Sequence, residues 1–301
     1  MPHLSVDILL PVFGEAPYFK RTLESIIPEM NDVNAVIIIE DRPTVETKRT
    51  IQNFESKFPD KVKVIVSKAP GIANALNYGL AYSDAELIAR IDSDDLMISG
   101  RIARQRDEML MENVSILGGQ ALFIDNHGKK RHPFKTSNPI SGVGIYIQMF
   151  FRNPIAHPTV MFRRNLALTA GGYRSEYEGL EDLDLWVRMS LQGRVRNSRE
   201  VYICYRISEE QASRRITDVV SRHSAILSLL PTQLIKNKRQ FLTKIQEIEE
   251  QDFKASLKNF VRASICCLQL FNISPIVSVV YFYHRIFSHL KCKWYERKLK
   301  G

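Results

Sequence analysis

The sequence predicts an α/β fold: a mostly parallel central sheet flanked by helices, followed by a helical C-terminal segment. Two observations carry this. Short apolar runs alternate with stretches of helical periodicity through the first part of the chain, the pattern of strand–helix–strand units. Polar clusters then follow three of these runs: Phe13-Gly14-Glu15, Glu40-Asp41-Arg42 and Asp92-Ser93-Asp94-Asp95. Parallel sheets bind ligands beyond the carboxyl ends of their strands, so the convergence says more than any one cluster.

Residues 6–11 (VDILLP) form an apolar run closed by proline, a buried first strand. Residues 18–27 carry apolar side chains at helical spacing. Residues 35–39 (AVIII) read as a second strand, 44–57 as a polar helix and 62–66 (VKVIV) as a third strand. Gly71 opens a helix over 72–82. Residues 86–91 (ELIARI) make a fourth strand that runs straight into the acidic cluster. Ser99 is a candidate cap for a helix running to about residue 112. The middle is less regular: a strand over 114–125, a polar basic loop over 126–138, a short strand over 158–162 and a loop at Gly171-Gly172. Residues 181–191 read as an amphipathic helix with Leu183, Trp186, Val187 and Ser190 on one face, and 201–207 as the last strand.

The bulk properties allow one core domain and an appended segment in 301 residues. An apolar fraction of 45% and a charged fraction of 25% exclude a disordered chain. Lys and Arg number 42 against 33 Asp and Glu, a net +9 that suits an anionic partner such as a nucleotide or a membrane surface. Cys204, Cys266, Cys267 and Cys292 form neither a CxxC pair nor a secreted disulfide pattern. The opening residues lack a signal-peptide pattern, which predicts a chain that stays in the cytosol. From about residue 217 the composition shifts. Residues 233–258 are charged and helical, and 263–283 carry no charge before a basic, aromatic end containing Trp294 and Tyr295. Gln269, Asn272, Ser274 and Pro275 make that stretch a poor membrane span. An interfacial helix on an anionic membrane surface fits better.

Carboxylates two residues apart at a strand end, as in Asp92 and Asp94, can share one hard divalent cation, Mn²⁺ or Mg²⁺, which also takes substrate phosphates. A solvated acidic turn is the plainer reading of a lone Asp-x-Asp. The position after the fourth strand of an α/β unit favours the metal.

Taken together, the motifs resemble those of the family 2 glycosyltransferases of bacterial surface-polysaccharide pathways. VDILLPVFGEAPYFKRTLESI resembles the family's first strand and helix, KAPGIANALN its third-strand loop, and ARIDSDD its metal-binding strand end. NPIAHPTVMFRR, GGYR and EDLDLWVRM resemble its acceptor-side segments. The resemblance covers roughly residues 5–207. It implies a GT-A (Rossmann-like) catalytic domain over 1–215, with a nucleotide-sugar half to about 112 and an acceptor half over 113–215, and a helical tail over 216–301. It implies that Pro11, Val12, Phe13 and Glu15 line a base pocket, that Glu40 and Asp41 meet the uracil edge, and that Lys68 and Asn77 lie near base and ribose. Asp92, with Ser93 beside it, approaches the ribose, and Asp94 holds the metal on the diphosphate. Asp182 becomes the general base of an inverting transfer, with Glu181 orienting acceptor hydroxyls. Gly172 and Tyr173 fall on the acceptor side. His157 fits either a contact to metal, phosphate or acceptor, or a histidine packed ahead of a strand.

Two departures stand out. The turn after the second strand reads Glu40-Asp41-Arg42-Pro43-Thr44 where relatives have an Asp-Asp-Gly-Ser-like turn, so Arg42 meets either a phosphate or a neighbouring acid. Ser208 stands where many relatives carry a metal-ligating histidine, and Arg214 is a candidate lid residue over the diphosphate. The resulting expectation is transfer of a hexose, glucose ahead of galactose, from a UDP-sugar to a lipid-diphosphate-linked saccharide. The resemblance further implies a β-1,3 linkage and a place at the cytoplasmic face of a bacterial inner membrane. A nucleotidyltransferase would carry a Gly-rich basic loop after the first strand, and a non-catalytic scaffold would have lost Asp94 or Asp182. No nucleic-acid module is recognisable.

Overall fold

The structure, a computed structural model, describes residues 4–136, 145, 149 and 153–207. The expected tail over 216–301, its membrane contact, Ser208 and Arg214 lie outside the described residues. In chain order the elements are β1 (Val6–Phe13), α1 (Phe19–Ile26), β2 (Ala35–Asp41), α2 (Val45–Lys57), β3 (Val62–Val66), α3 (Ile72–Tyr82), β4 (Leu87–Arg90) and β5 (Leu96–Met97). They continue with α4 (Arg101–Met111), β6 (Ile116–Ile124), β7 (Lys130–Lys135), β8 (Met161–Arg163), α5 (Arg164–Thr169), α6 (Glu181–Ser190) and β9 (Val195–Arg206).

The strands form one mixed sheet in the order β3-β2-β1-β4-β8-β6-β9-β5, with β7 paired to β6 off that path. The first four strands are parallel to their neighbours. From β4 outward β8 runs antiparallel to β4 and to β6, while β9 is parallel to β6. Side chains alternate between two apolar layers, as the two-residue strand period requires. Ile8, Leu10, Val36 and Ile38 face Leu23, Ile51, Phe54 and Ile102 of α1, α2 and α4. Leu9, Ile37 and Ile39 face Ala73, Leu76 and Leu80 of α3, in the layer that also takes Leu183 and Trp186 of α6. Both faces of the parallel half are covered, which is why its strands read as unbroken apolar runs.

Three expectations are corrected, and one short strand, β5, is added. The basic loop expected over 126–138 contains β7. Gly128 at φ +85° closes the turn into it, and the Asp125 carboxylate accepts the His127 and Lys129 N–H groups at 2.9 Å each. An edge strand rich in polar residues lacks the apolar run that marks a buried one. The two-residue β5 is too short to show a period, and β9 starts at Val195 rather than 201. Finally, Ser99 does not cap α4. Gly100 occupies the cap position at φ +73°, and the buried Glu29 carboxylate accepts the Gly100 N–H at 2.6 Å and the Ile102 N–H at 2.9 Å. A carboxylate at a helix N-terminus satisfies free amides and complements the dipole. Among the described residues no helix is long and apolar enough to cross a membrane.

Candidate functional site

The site lies beyond the carboxyl ends of β1, β2 and β4. At the end of β1, Phe13 is 61% exposed and Glu15 is exposed, whereas Pro11 and Val12 are buried in the sheet. Of the four residues expected to line a base pocket, Phe13 and Glu15 therefore offer open side chains. At the end of β2 the Asp41 carboxylate is bonded through both oxygens. Its Oδ2 accepts the Gly71 N–H at 2.9 Å and its Oδ1 accepts Arg42 Nε at 3.0 Å. The Arg42 guanidinium lies 5.1 Å from the centre of the Phe13 ring. Of the two readings of Arg42, the structure shows the pair with a neighbouring acid. Glu40 is buried, 4.0 Å from Lys48 Nζ, and Lys68 is exposed.

Asn77 braces a loop. Its Nδ2 donates to the Tyr173 carbonyl at 2.7 Å and its Oδ1 accepts the Tyr173 N–H at 2.8 Å. The amide holds the Gly171–Arg174 loop with one of its two N–H donors and one of its two acceptor lone pairs. The approach is close: a Cβ on Gly172, which sits at φ +66°, would lie 2.5 Å from Asn77 Oδ1.

The turn after β4 gathers Asp92, Asp94 and Asp95, each offering one carboxylate oxygen within 4.8 Å of the others. Arg90, 4% exposed at the end of β4, pairs with Asp92. Asp94 is pushed up to about 6 by burial and by Asp92, and Asp95 well above the carboxylate range by burial, Asp92 and Asp94. Asp95 Oδ1 accepts the Arg206 N–H at 2.8 Å, while its buried Oδ2 has no partner among the described residues. Crowded, desolvated carboxylates with an unanswered oxygen fit a divalent cation, which removes both the repulsion and the orphaned acceptor. Asp95 adds a third acid from within the same turn. Arg206, at the end of β9, donates from Nε to the Asp94 carbonyl at 2.8 Å and stacks 4.1 Å from the centre of the Tyr18 ring. Thr22 Oγ1 of α1 donates to the Ser93 carbonyl at 3.0 Å. The turn is thus held from two sides.

On the other side, the first turn of α6 carries Glu181 and Asp182. Its apolar face, Leu183, Leu185 and Trp186, is fully buried and fixes the helix. Asp182 Oδ1 accepts the Leu183 N–H at 2.7 Å, and Oδ2 accepts Asn153 Nδ2 at 2.6 Å. Burial, then the Glu181 charge, push Asp182 up to about 7. Glu181 is raised by burial, and its Oε2 accepts the Gly179 N–H at 2.5 Å. His157 is buried, with Nε2 3.1 Å from the Tyr173 hydroxyl and Nδ1 3.8 Å from Asp182 Oδ2. Burial and then Arg90 push it well below its ordinary range, so it is neutral. With Tyr173 and Trp186 rings 5.5 and 5.8 Å away, His157 is a packed residue behind Asp182.

Several residues escaped the sequence reading. Arg90 acts electrostatically on Asp94 and Asp95 on one side and on Glu181 and Asp182 on the other. Its signal was a cation inside the otherwise apolar run ELIARI. Asp184 receives Arg174 and Arg188, and Arg188 Nη2 also donates to the Gly172 carbonyl at 2.6 Å. Together with Asn77 these groups tie the glycine loop to α3 and α6. Asn153 carried no signal beyond its place in the motif. A carboxylate beside a strand-end acid cluster can take a proton while the cluster holds an anion through a metal.

The sequence model of the family described as "Glycosyl transferase family 2" matches residues 7–169. The chain is 28% identical over 230 residues to the amylovoran biosynthesis glycosyltransferase AmsE of Erwinia amylovora, covering 74% of this chain and 85% of that protein. It is 26% identical over 216 residues to an Escherichia coli UDP-Gal:alpha-D-GlcNAc-diphosphoundecaprenol beta-1,3-galactosyltransferase, covering 71% and 78%. Among solved structures, S. aureus TarS 1-349 in complex with UDP-GlcNAc matches with a TM-score of 0.63 at 14% identity, covering 85% of this chain and 76% of that one. The chain spans 46% of the longer TarS chain. At such identity the likeness establishes the fold, which is GT-A.

Proposed function

We propose that this chain, which belongs to glycosyl transferase family 2, transfers a hexose from a UDP-sugar to a lipid-diphosphate-linked saccharide in O-antigen or exopolysaccharide assembly, with inversion at the anomeric carbon. The observation that carries the reading is the pairing of two unlike acid centres in one site. The cluster of Asp92, Asp94 and Asp95 suits a divalent cation, Mn²⁺ or Mg²⁺. Asp182 is a buried carboxylate pushed up to about 7, suited to general-base work.

Inversion needs a single displacement. Asp182 Oδ2 takes the proton of the acceptor hydroxyl as its oxygen bonds the anomeric carbon, and the bond from that carbon to the diphosphate breaks with its electron pair leaving on UDP. Asp92 and Asp94, with Asp95 behind them, would hold the metal, whose chemistry is to neutralise charge on the departing diphosphate. Arg90 offers a fixed cation between the two centres, and its Nε and Nη1 have no partner among the described residues. Phe13 is an exposed flat surface for a base. The loop braced by Asn77, Asp184 and Arg188 supplies the acceptor-side wall. The tail over 216–301 is the element that docks on the cytoplasmic face of the membrane.

Glucose is the first donor hexose, from the family resemblance. Galactose is the second reading, favoured by the beta-1,3-galactosyltransferase among the relatives, and that protein's lipid-diphosphate substrate also supports the acceptor class and the β-1,3 linkage. Calorimetry of UDP, GDP, CDP and dTDP binding, each with Mn²⁺ and with EDTA, tests the donor class. Tight, metal-dependent binding of UDP alone is expected. Equal binding of all four, or binding indifferent to EDTA, would overturn it.

A further inference from the structure

Resting on Asp182 as the base, we infer that Asn153 is the residue that aims it: its amide holds Asp182 Oδ2 so that one defined lone pair of that oxygen is left for the acceptor proton. The two oxygens of Asp182 are held differently. Oδ1 accepts the Leu183 N–H of its own helix at 2.7 Å. Oδ2 accepts Asn153 Nδ2 at 2.6 Å, so it is the oxygen positioned from outside the helix, and it keeps a second lone pair for the acceptor proton.

The direction of the Asn153 amide is itself fixed. Asn153 Oδ1 accepts the Ile155 N–H at 3.0 Å, so the NH₂ end must face Asp182. The opposite orientation would set two donors, and two acceptors, against each other. Pro154 and Ile155 beyond it are buried, and the Pro154 carbonyl accepts Asn197 Nδ2 of β9 at 2.9 Å, which anchors the turn that carries Asn153. The chain of hydrogen bonds thus runs from β9 through this turn to Asn153 and on to Asp182.

A neutral donor is the group required here. It favours the ionised carboxylate without competing for the proton, where a lysine at this position would hold the carboxylate too firmly ionised to accept one. The charged and titratable groups around Asp182 are accounted for. Glu181 lies on its own helix, Arg90 comes from β4, His157 from the turn before β8, and Tyr173 from the glycine loop. The neutral imidazole, at 3.8 Å, is beyond hydrogen-bond distance of Oδ2. Asn153 is the side chain that bonds it directly.

The test is the pH dependence of kcat for the full-length protein, followed as UDP release from UDP-glucose and UDP-galactose with a synthetic N-acetylglucosamine-diphospho-lipid acceptor. Asn153→Asp keeps size and the Ile155 contact but turns a carboxylate toward Asp182. Asn153→Ser keeps a small polar side chain and shortens the reach, and serves if the first variant unfolds. Both are expected to move the acidic limb of the kcat profile up by about one unit or more, since a hydrogen bond to an ionised group is worth roughly that much. At pH 7 kcat should fall about fivefold or more, with the KM for the donor and the UDP Kd within about twofold of the parent. A purely structural role would change KM, Kd and Tm together and leave the limb in place, and that result overturns the inference. Asp182→Asn, assayed alongside, separates the two ideas. If it still transfers sugar, Asp182 is not the base and the functional reading fails. If it is dead while both Asn153 variants keep the parental limb, only the role of Asn153 fails.

Discussion

Asp182→Asn should abolish transfer and, at the same time, change how stability depends on pH. The carboxylate has a side chain 15% exposed and is pushed up to about 7 from the ordinary carboxylate value of about 4. Its folded-state affinity for protons therefore exceeds its unfolded one. Between those two values the folded state binds more protons, so rising pH removes stability until Asp182 is ionised above neutrality, beyond which the effect is constant. From pH 5 to pH 7 the full effect is two units, about 2.7 kcal/mol at about 1.36 kcal/mol per unit. Relaxation and water entry reduce it, and half, about 1.4 kcal/mol, is the working figure. For a domain of about 200 residues that corresponds to about 3–5 °C in Tm. Asparagine carries no charge at either pH. It does present a donor where only acceptors fit, toward the Leu183 N–H or toward Asn153, but that penalty is the same at both pH values and cancels in the comparison. The assay is thermal unfolding of parent and variant at pH 5 and pH 8. The variant should gain about 3–5 °C relative to the parent between the two conditions. A Tm difference that stays constant with pH would refute the argument that Asp182 is held at the expense of stability.

Three further outcomes follow from the site. Asp94→Ala should weaken UDP binding at least tenfold in Mn²⁺ while leaving binding in EDTA unchanged, read by calorimetry. Asp184→Asn removes the buried acid shared by Arg174 and Arg188; it should cost about 3 kcal/mol in chemical denaturation, because two cations lose their ionised partner. Gly172→Ala places a Cβ 2.5 Å from Asn77 Oδ1 at φ +66°, so a loss of about 2 kcal/mol is expected, with the acceptor KM rising before the donor KM does.

The parallel half was legible because its information is local. Strands covered on both faces are mostly apolar, and β1, β2 and β4 are such runs, each closed by a polar turn; β3, at the sheet edge, buries only Val62 fully. That Asp92 and Asp94 follow β4 and that Asp182 stands in the first turn of α6 was legible for the same reason: the pattern of each element is plain. What could not be read depends on partners distant in sequence. Glu29 caps α4 from 71 residues away, and Asn77 meets Tyr173 from 96. Nothing near Asn77 in the sequence announces that its amide braces a loop. The role of Asn153 needed the fold, which brings it to Asp182 across 29 residues. Arg90 was visible as an odd cation in an apolar strand, yet only the three-dimensional arrangement puts it between two acid centres. β7 escaped because an edge strand with a polar face carries the composition of a loop.

The central claim is tested most directly by product analysis. The full-length protein, with Mn²⁺ and each of UDP-glucose and UDP-galactose, is incubated with an N-acetylglucosamine-diphospho-lipid, and the lipid is examined by mass spectrometry and by NMR of the new linkage. The account predicts addition of one hexose with a β-configured anomeric centre, lost in Asp182→Asn and in EDTA. An α-configured product, or transfer that survives Asp182→Asn, would contradict it.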